Sequence, residues 1–106
     1  MQNESAFVYI MANTSETIYV GSTVDLLSRI QDHLEGRLAI FTKTYHCHRL
    51  VYYETLPSLT DARFREYQIK RWRREKKIRL IASKNPAWTD LSIELFQKGL
   101  SDKDTS

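Results

Sequence analysis

Two apolar, tyrosine-bearing runs lie close together near the N-terminus, Phe7-Val8-Tyr9-Ile10-Met11-Ala12 and Ile18-Tyr19-Val20-Gly21. Both are rich in β-branched and aromatic residues, the composition of buried strands. The residues between them, Asn13-Thr14-Ser15-Glu16, are turn formers. The two runs therefore form a hairpin, which fixes the start of the fold. A turn centred on Thr14 sets Tyr9 directly opposite Tyr19, so that both phenols share one face of the sheet.

Local signals place the other elements. Ser22 or Thr23 is positioned to cap a helix running to about Glu35, with Asp25 in its first turn and Gly36 as its stop. Leu26, Leu27, Ile30 and Leu34 form the apolar stripe of that helix, and Arg29 and His33 stack at i, i+4 on its border. The stretch from Arg37 to His48 reads as a loop. Leu50 to Glu54 is a third strand ended by Pro57, and Thr60 caps a helix from Asp61 to about Arg73. A further helical segment covers Arg74 to Ser83, stopped by Pro86 after Asn85. The expected fold is α+β, a small three-stranded antiparallel sheet flanked by helices in the order ββα, β, αα. At 106 residues the chain reads as one domain, with a core over about residues 6–91 and a polar, frayed tail at 99–106.

Composition narrows the classes of function. The single cysteine, Cys47, excludes an intrachain disulfide and fits a reducing compartment. The first residues lack the basic and apolar regions of a signal peptide, and no apolar run suits a membrane span, so the cytoplasm is the expected location. The net charge is only +3, yet Lys70 to Arg79 (KRWRREKKIR) carries +6, leaving −3 on the remaining 96 residues. A concentrated basic stretch on a mildly acidic body is the footprint of a polyanion binder.

The side chains gathered here suit phosphodiester cleavage. Glu66 lies beside the inward stripe of its helix, near Ala62 and Ile69, where a carboxylate can hold a divalent ion. Arg29 offers a guanidinium fork for phosphate, and Tyr9, Tyr19 and His33 offer groups that move protons. Each also has an ordinary role: core aromatics, a snorkelling arginine, a buried histidine, and an ion pair of Glu66 with Lys70 or Arg63. His46-Cys47-His48 is not a zinc site, because adjacent ligands cannot wrap one tetrahedral ion and no second ligand pair follows.

Taken together, these residues resemble the GIY-YIG nuclease domain, with Val8-Tyr9-Ile10 as its first element and Tyr19-Val20-Gly21 as its second. The similarity continues through Ser22 to Leu26, Arg29, His33, Phe41-Thr42-Lys43, Tyr45 and Leu50 to Glu54. It then runs through Ala62, Glu66, Ile69-Lys70, Trp72-Arg73-Arg74, Lys77, Leu80-Ile81 and Asn85 to Leu91. It is closest to the small stand-alone bacterial members, and it is similar to the nuclease domain of the excision-repair nuclease. The resemblance implies a metal-dependent DNA endonuclease, structure-specific or nonspecific in its nicking, that uses one Mg2+ or Mn2+ held by Glu66. Arg29 would contact the scissile phosphate, Tyr9, Tyr19 or His33 would serve or orient the water, and Gly21 would permit close backbone approach. Lys43, Lys70, Arg71, Arg73, Arg74 and Lys77 would touch the DNA backbone. The chain departs from the pattern at Val8, which replaces the first glycine, and at Ser22, which stands where excision-repair-like members carry a lysine. A nucleic-acid-binding module without turnover, or a protein-interaction domain using Trp72 and Trp88, is the alternative.

Overall fold

The structure, a computed structural model, describes residues 5–35 and 47–105, the last seven by backbone alone. Strands β1 (Ala6–Ala12), β2 (Ile18–Thr23) and β3 (Arg49–Leu56) form one antiparallel sheet in the order β2-β1-β3. The described helices are α1 (Leu26–Leu34), α2 (Leu59–Lys70), α3 (Arg74–Lys84) and α4 (Ser92–Thr105). The α+β class and the element order expected from the sequence both hold. Gly36, Lys43, Tyr45 and His46 fall outside the described residues, as does most of the stretch expected to be a loop.

The hairpin register differs from the expected one. Tyr9 pairs with Gly21, and Met11 pairs with Tyr19. The turn is centred on Ser15, because Asn13 organises a loop one residue longer on each side of the pivot than a Thr14 turn would give. Its Oδ1 accepts from Ser15 N and Thr17 N, each at 2.9 Å, and its backbone pairs with Thr17 at 3.1 Å. Glu16 closes the loop at φ 63°, the left-handed residue that a three-residue hairpin loop requires. The shift is two residues in relative register, so side-chain parity survives and Tyr9 and Tyr19 still share a face.

That parity divides the core. Ala6, Val8, Ile10 and Ala12 of β1 pack with Val20 against Ala62 and Ile69 of α2 and Ile81 of α3. On the other face, Tyr9 and Met11 pack with Leu26 and Ile30 of α1 and with Leu95 and Phe96 of α4. The sheet is thus sandwiched between two helix layers. Helix α4 has no counterpart in the sequence reading, where the terminal residues stood out only as polar; in the structure Ile93 is 62 % exposed. It forms because Leu95 and Phe96 cover the Tyr9 face and because Asp90 accepts from Ser92 N at 3.0 Å at its start.

The helix caps also sit apart from the expected positions. Asp25 caps α1 by accepting from Ser28 N at 3.1 Å, while Thr23 orders the preceding turn through Asp25 N and Ser22 is engaged elsewhere. Ser58, not Thr60, caps α2 by accepting from Asp61 N three residues on. Helix α2 ends at Lys70, with Arg71 as its C-cap, so Trp72 and Arg73 connect the two helices rather than extend the first.

Asn85 locks the outer edge of the sheet. A bulge breaks the β1–β3 ladder between Ile10 and Met11 and leaves Val51 without a partner on β1. The Asn85 amide donates to the Val51 carbonyl at 3.0 Å and to the Thr89 carbonyl at 2.9 Å, and its Oδ1 accepts from Thr89 N and Oγ1. Leu91 N and Asp90 Oδ1 complete the cover at Leu50, closing this part of the edge. Asn85→Ala leaves buried backbone groups unpaired, so a loss of about 2–4 kcal/mol in urea unfolding is expected. A midpoint like that of the wild type would show that water replaces the amide.

Candidate active site

The Tyr9 phenol is the centre of the candidate site. Its ring crosses the face of the sheet and lies over Gly21 on edge strand β2, and a Cβ at Gly21 would stand 2.6 Å from the phenol oxygen. Tyr19 lies diagonally across, its ring centroid 6.3 Å away at 47°. Tyr9 is fully buried, and burial pushes its phenol far above the usual range; the Tyr19 phenol and the Glu66 charge add to this, while Arg29 opposes it. Tyr9 is therefore a neutral phenol at physiological pH.

Helix α1 brings His33 to this phenol and also carries Arg29. His33 sits fully inside rather than on the helix border, and Leu34, read as part of the apolar stripe, is 41 % exposed. The helix is rotated so that Leu26, Ile30 and His33 form the buried stripe, because Tyr9 and Tyr19 supply aromatic edges for the imidazole. His33 Nε2 shares a 3.1 Å hydrogen bond with the Tyr9 oxygen, and its Nδ1 has no hydrogen-bond partner among the described residues. Burial, then the Arg29 charge, pull the imidazole down from 6.5 to about 4.

A neutral buried His33 makes the fold acid-sensitive. The folded pKa is depressed, so this stabilisation is complete above 6.5 and is lost as pH falls toward about 4, the unfolded chain taking the proton first. The full effect is on the order of 3 kcal/mol. Denaturant midpoints measured from about pH 7 to about pH 4.5 are expected to fall in the wild type, with a flatter profile in His33→Gln. An identical slope in the variant would assign the acid sensitivity to other groups.

Glu66 approaches from the opposite layer. Along β2 the parity that turns Gly21 toward α1 turns Ser22 toward α2, which lies across β1 and β2. Ser22 Oγ donates to Glu66 Oε1 at 2.5 Å, and Lys70 Nζ pairs with Oε2 at 2.6 Å. The ion pair is thus with Lys70 at i+4. Ser22, read in the sequence as a helix-cap candidate and a missing lysine, is a direct partner of the carboxylate; its alternation with Gly21 was the signal available. The two layers meet at this edge, and both Arg29 and Glu66 act electrostatically on the Tyr9 phenol. The structure therefore packs Tyr9, Tyr19, His33 and Gly21 against one another, while Glu66 is held by Ser22, the next residue along β2.

The basic stretch is more engaged than its composition suggests. Arg71 donates to the Tyr67 hydroxyl at 2.6 Å and lies over its ring, and Arg74 donates to the Glu16 carbonyl at 2.7 Å, tying α3 to the hairpin loop. Lys76 and Arg65 lie over the Trp72 ring at 4.2 and 5.3 Å. Arg73 is an exposed N-cap of α3, and Lys77 is half-buried. Trp72 and Trp88 both pack against the core. Among the described residues, no three His, Cys, Asp or Glu side chains gather as a metal cage, and no helix is long and apolar enough to cross a membrane.

Known proteins are similar to this chain. The family described as the GIY-YIG catalytic domain matches residues 5–79. A UPF0213 protein of Staphylococcus aureus (strain Mu3) is 38% identical over 78 residues, covering 74% of this chain and 95% of that protein, and the UPF0213 protein of strain Mu50 matches equally. The solution NMR structure of the UPF0213 protein BH0048 from Bacillus halodurans is 32% identical with a TM-score of 0.52, covering 79% of this chain and 89% of that one. The tyrosine hairpin, the α1 arginine and histidine and the α2 glutamate thus stand within a family match that spans most of the sequence; the chain is similar to small bacterial UPF0213 proteins and belongs to the GIY-YIG family.

Proposed function

We propose that this protein is a metal-dependent DNA endonuclease that nicks phosphodiester bonds by water attack, with structure-specific or nonspecific choice of substrate. Membership of a nuclease family supports the reaction class. The observation that carries the reading is the buried Tyr9 phenol hydrogen-bonded to His33 and packed beside Tyr19, one residue along β2 from the Ser22 that holds Glu66.

The donor set fits Mg2+ or Mn2+. Glu66 is one hard carboxylate whose side chain is 20 % exposed, and such ions bind through one or two carboxylates together with waters and substrate phosphate. When bound, the ion supplies Lewis acidity toward the phosphate. Arg29 offsets charge developing on the phosphate oxygens. Tyr9, neutral and held by His33, orients the water and relays its proton toward the imidazole, whose proton affinity rises as the phosphate charge enters. Tyr19 walls the site, and the Lys70 to Lys77 region, with Lys43, tracks the DNA backbone without reading sequence. The test is nicking of supercoiled and branched DNA with Mg2+ or Mn2+, comparing wild type with Glu66→Gln. Metal-dependent nicking confined to the wild type is expected, and DNA binding without cleavage under any metal would overturn the reading in favour of a binding module.

A further inference from the structure

Glu66 has both carboxylate oxygens engaged, and the two partners differ in kind. Ser22 Oγ is a neutral donor on a rigid strand, and it fixes the direction in which the carboxylate points. Lys70 is an ammonium on a flexible stem, half exposed, at the last residue of α2, where the helix carbonyls favour a cation. The carboxylate that would take a divalent ion is therefore already neutralised by a charge of the chain itself.

We propose that Lys70 is a tethered stand-in for the metal: it covers Glu66 in the free enzyme, yields when a divalent ion arrives, and then turns its ammonium to the substrate phosphate. This inference rests on Glu66 being the metal ligand. An ammonium 2.6 Å from Oε2 and a divalent ion on the same oxygen would lie within about 4 Å of each other, where the repulsion is substantial even in water. Lys70 must then leave. Released, it stands one helical turn from Glu66 on a long stem, within reach of a phosphate that an ion on Glu66 would hold. Metal and DNA thereby assist each other: DNA offers Lys70 an alternative partner and so favours the ion, and by linkage the ion favours DNA by the same factor. Lys70 on this account competes with the ion for Glu66 in the free protein and contacts the substrate phosphate once released. Without metal it also prevents an uncompensated carboxylate from repelling DNA.

The test is the affinity for Mn2+ alone, measured by calorimetry on the intact chain without DNA. Lys70→Gln removes the competing charge and is expected to bind Mn2+ about three- to tenfold tighter than wild type, whereas Lys70→Arg keeps the charge and stays near wild type. Lys70 is half exposed, and thermal melting confirms that each variant folds. An unchanged or weaker Mn2+ affinity in Lys70→Gln overturns the proposal, as does absence of Mn2+ binding by every variant. Glu66→Gln separates this from the underlying reading. Loss of Mn2+ binding in Glu66→Gln, with no change in Lys70→Gln, removes only the stand-in role; retained binding in Glu66→Gln removes the metal assignment itself. A second readout is DNA affinity in EDTA. Neutralising Lys70 is expected to cost more in the Glu66→Gln background, where the ammonium is free for phosphate, than in the wild type. Equal costs count against the proposal.

Discussion

Glu66→Gln is expected to reduce metal-dependent nicking at least about a thousandfold, which corresponds to roughly 4 kcal/mol of transition-state stabilisation. The substitution keeps the size of the side chain and a carbonyl oxygen able to accept from Ser22, so the carboxylate charge is what is lost. Its cost to the fold is small, because the Lys70 partner is half exposed and such pairs contribute up to about 1 kcal/mol. DNA binding is retained or strengthened, since a negative charge leaves the phosphate site. The measurement is conversion of supercoiled plasmid, and of branched or flapped DNA, with Mg2+ or Mn2+, beside a binding assay in EDTA. Equal residual cleavage in the variant would identify a contaminating nuclease and sink the catalytic assignment.

Gly21→Ala is expected to lower cleavage about a hundredfold and to destabilise the fold by about 1–3 kcal/mol, although a single methyl is added. The cause is space: the new Cβ would lie 2.6 Å from the Tyr9 oxygen, 2.7 Å from Cζ and 3.0 Å from Cε1. The obstacle is a rigid ring rather than the end of a flexible chain, and it is packed against Tyr19 and His33. The phenol must shift and release its 3.1 Å bond to His33. Tyr9→Phe provides the control for activity. If Gly21→Ala acts through the phenol, it adds little further loss of cleavage in a Tyr9→Phe background. Full additivity there would place the role of Gly21 elsewhere, and wild-type stability with wild-type cleavage would show that the ring is free to move.

Much of this site was legible along the chain because its signals are local. The alternation in 7–12 and 18–21 is enough to put Tyr9 and Tyr19 on one face, since parity survives a two-residue change of register. Pro86 with Asn85 ended α3 where expected, because a proline restricts its predecessor regardless of the surrounding fold. The turn centre was less accessible. Thr14 and Ser15 are equally good turn residues, and the side chain of Asn13 decides between them by bonding to residues two and four further on.

Tertiary contacts decided the remainder. His33 looked like a border residue by periodicity, yet the edges of two tyrosines pull it inside and leave Leu34 at the surface. Helix α4 was invisible because its stability comes from the face it covers rather than from its own pattern. Several cations that composition offered to DNA already have partners: Lys70 on Glu66, Arg71 on Tyr67 and Arg74 on the hairpin loop. By itself, then, the sequence determined the residue types, the elements that carry them and the shared face of the two phenols, all set by backbone periodicity and local capping. Only the folded chain decided that Gly21 makes room for Tyr9, that His33 is buried and neutral, and that Ser22 and Lys70 hold Glu66. Those outcomes depend on distance and burial between segments far apart in the chain, which no local pattern encodes.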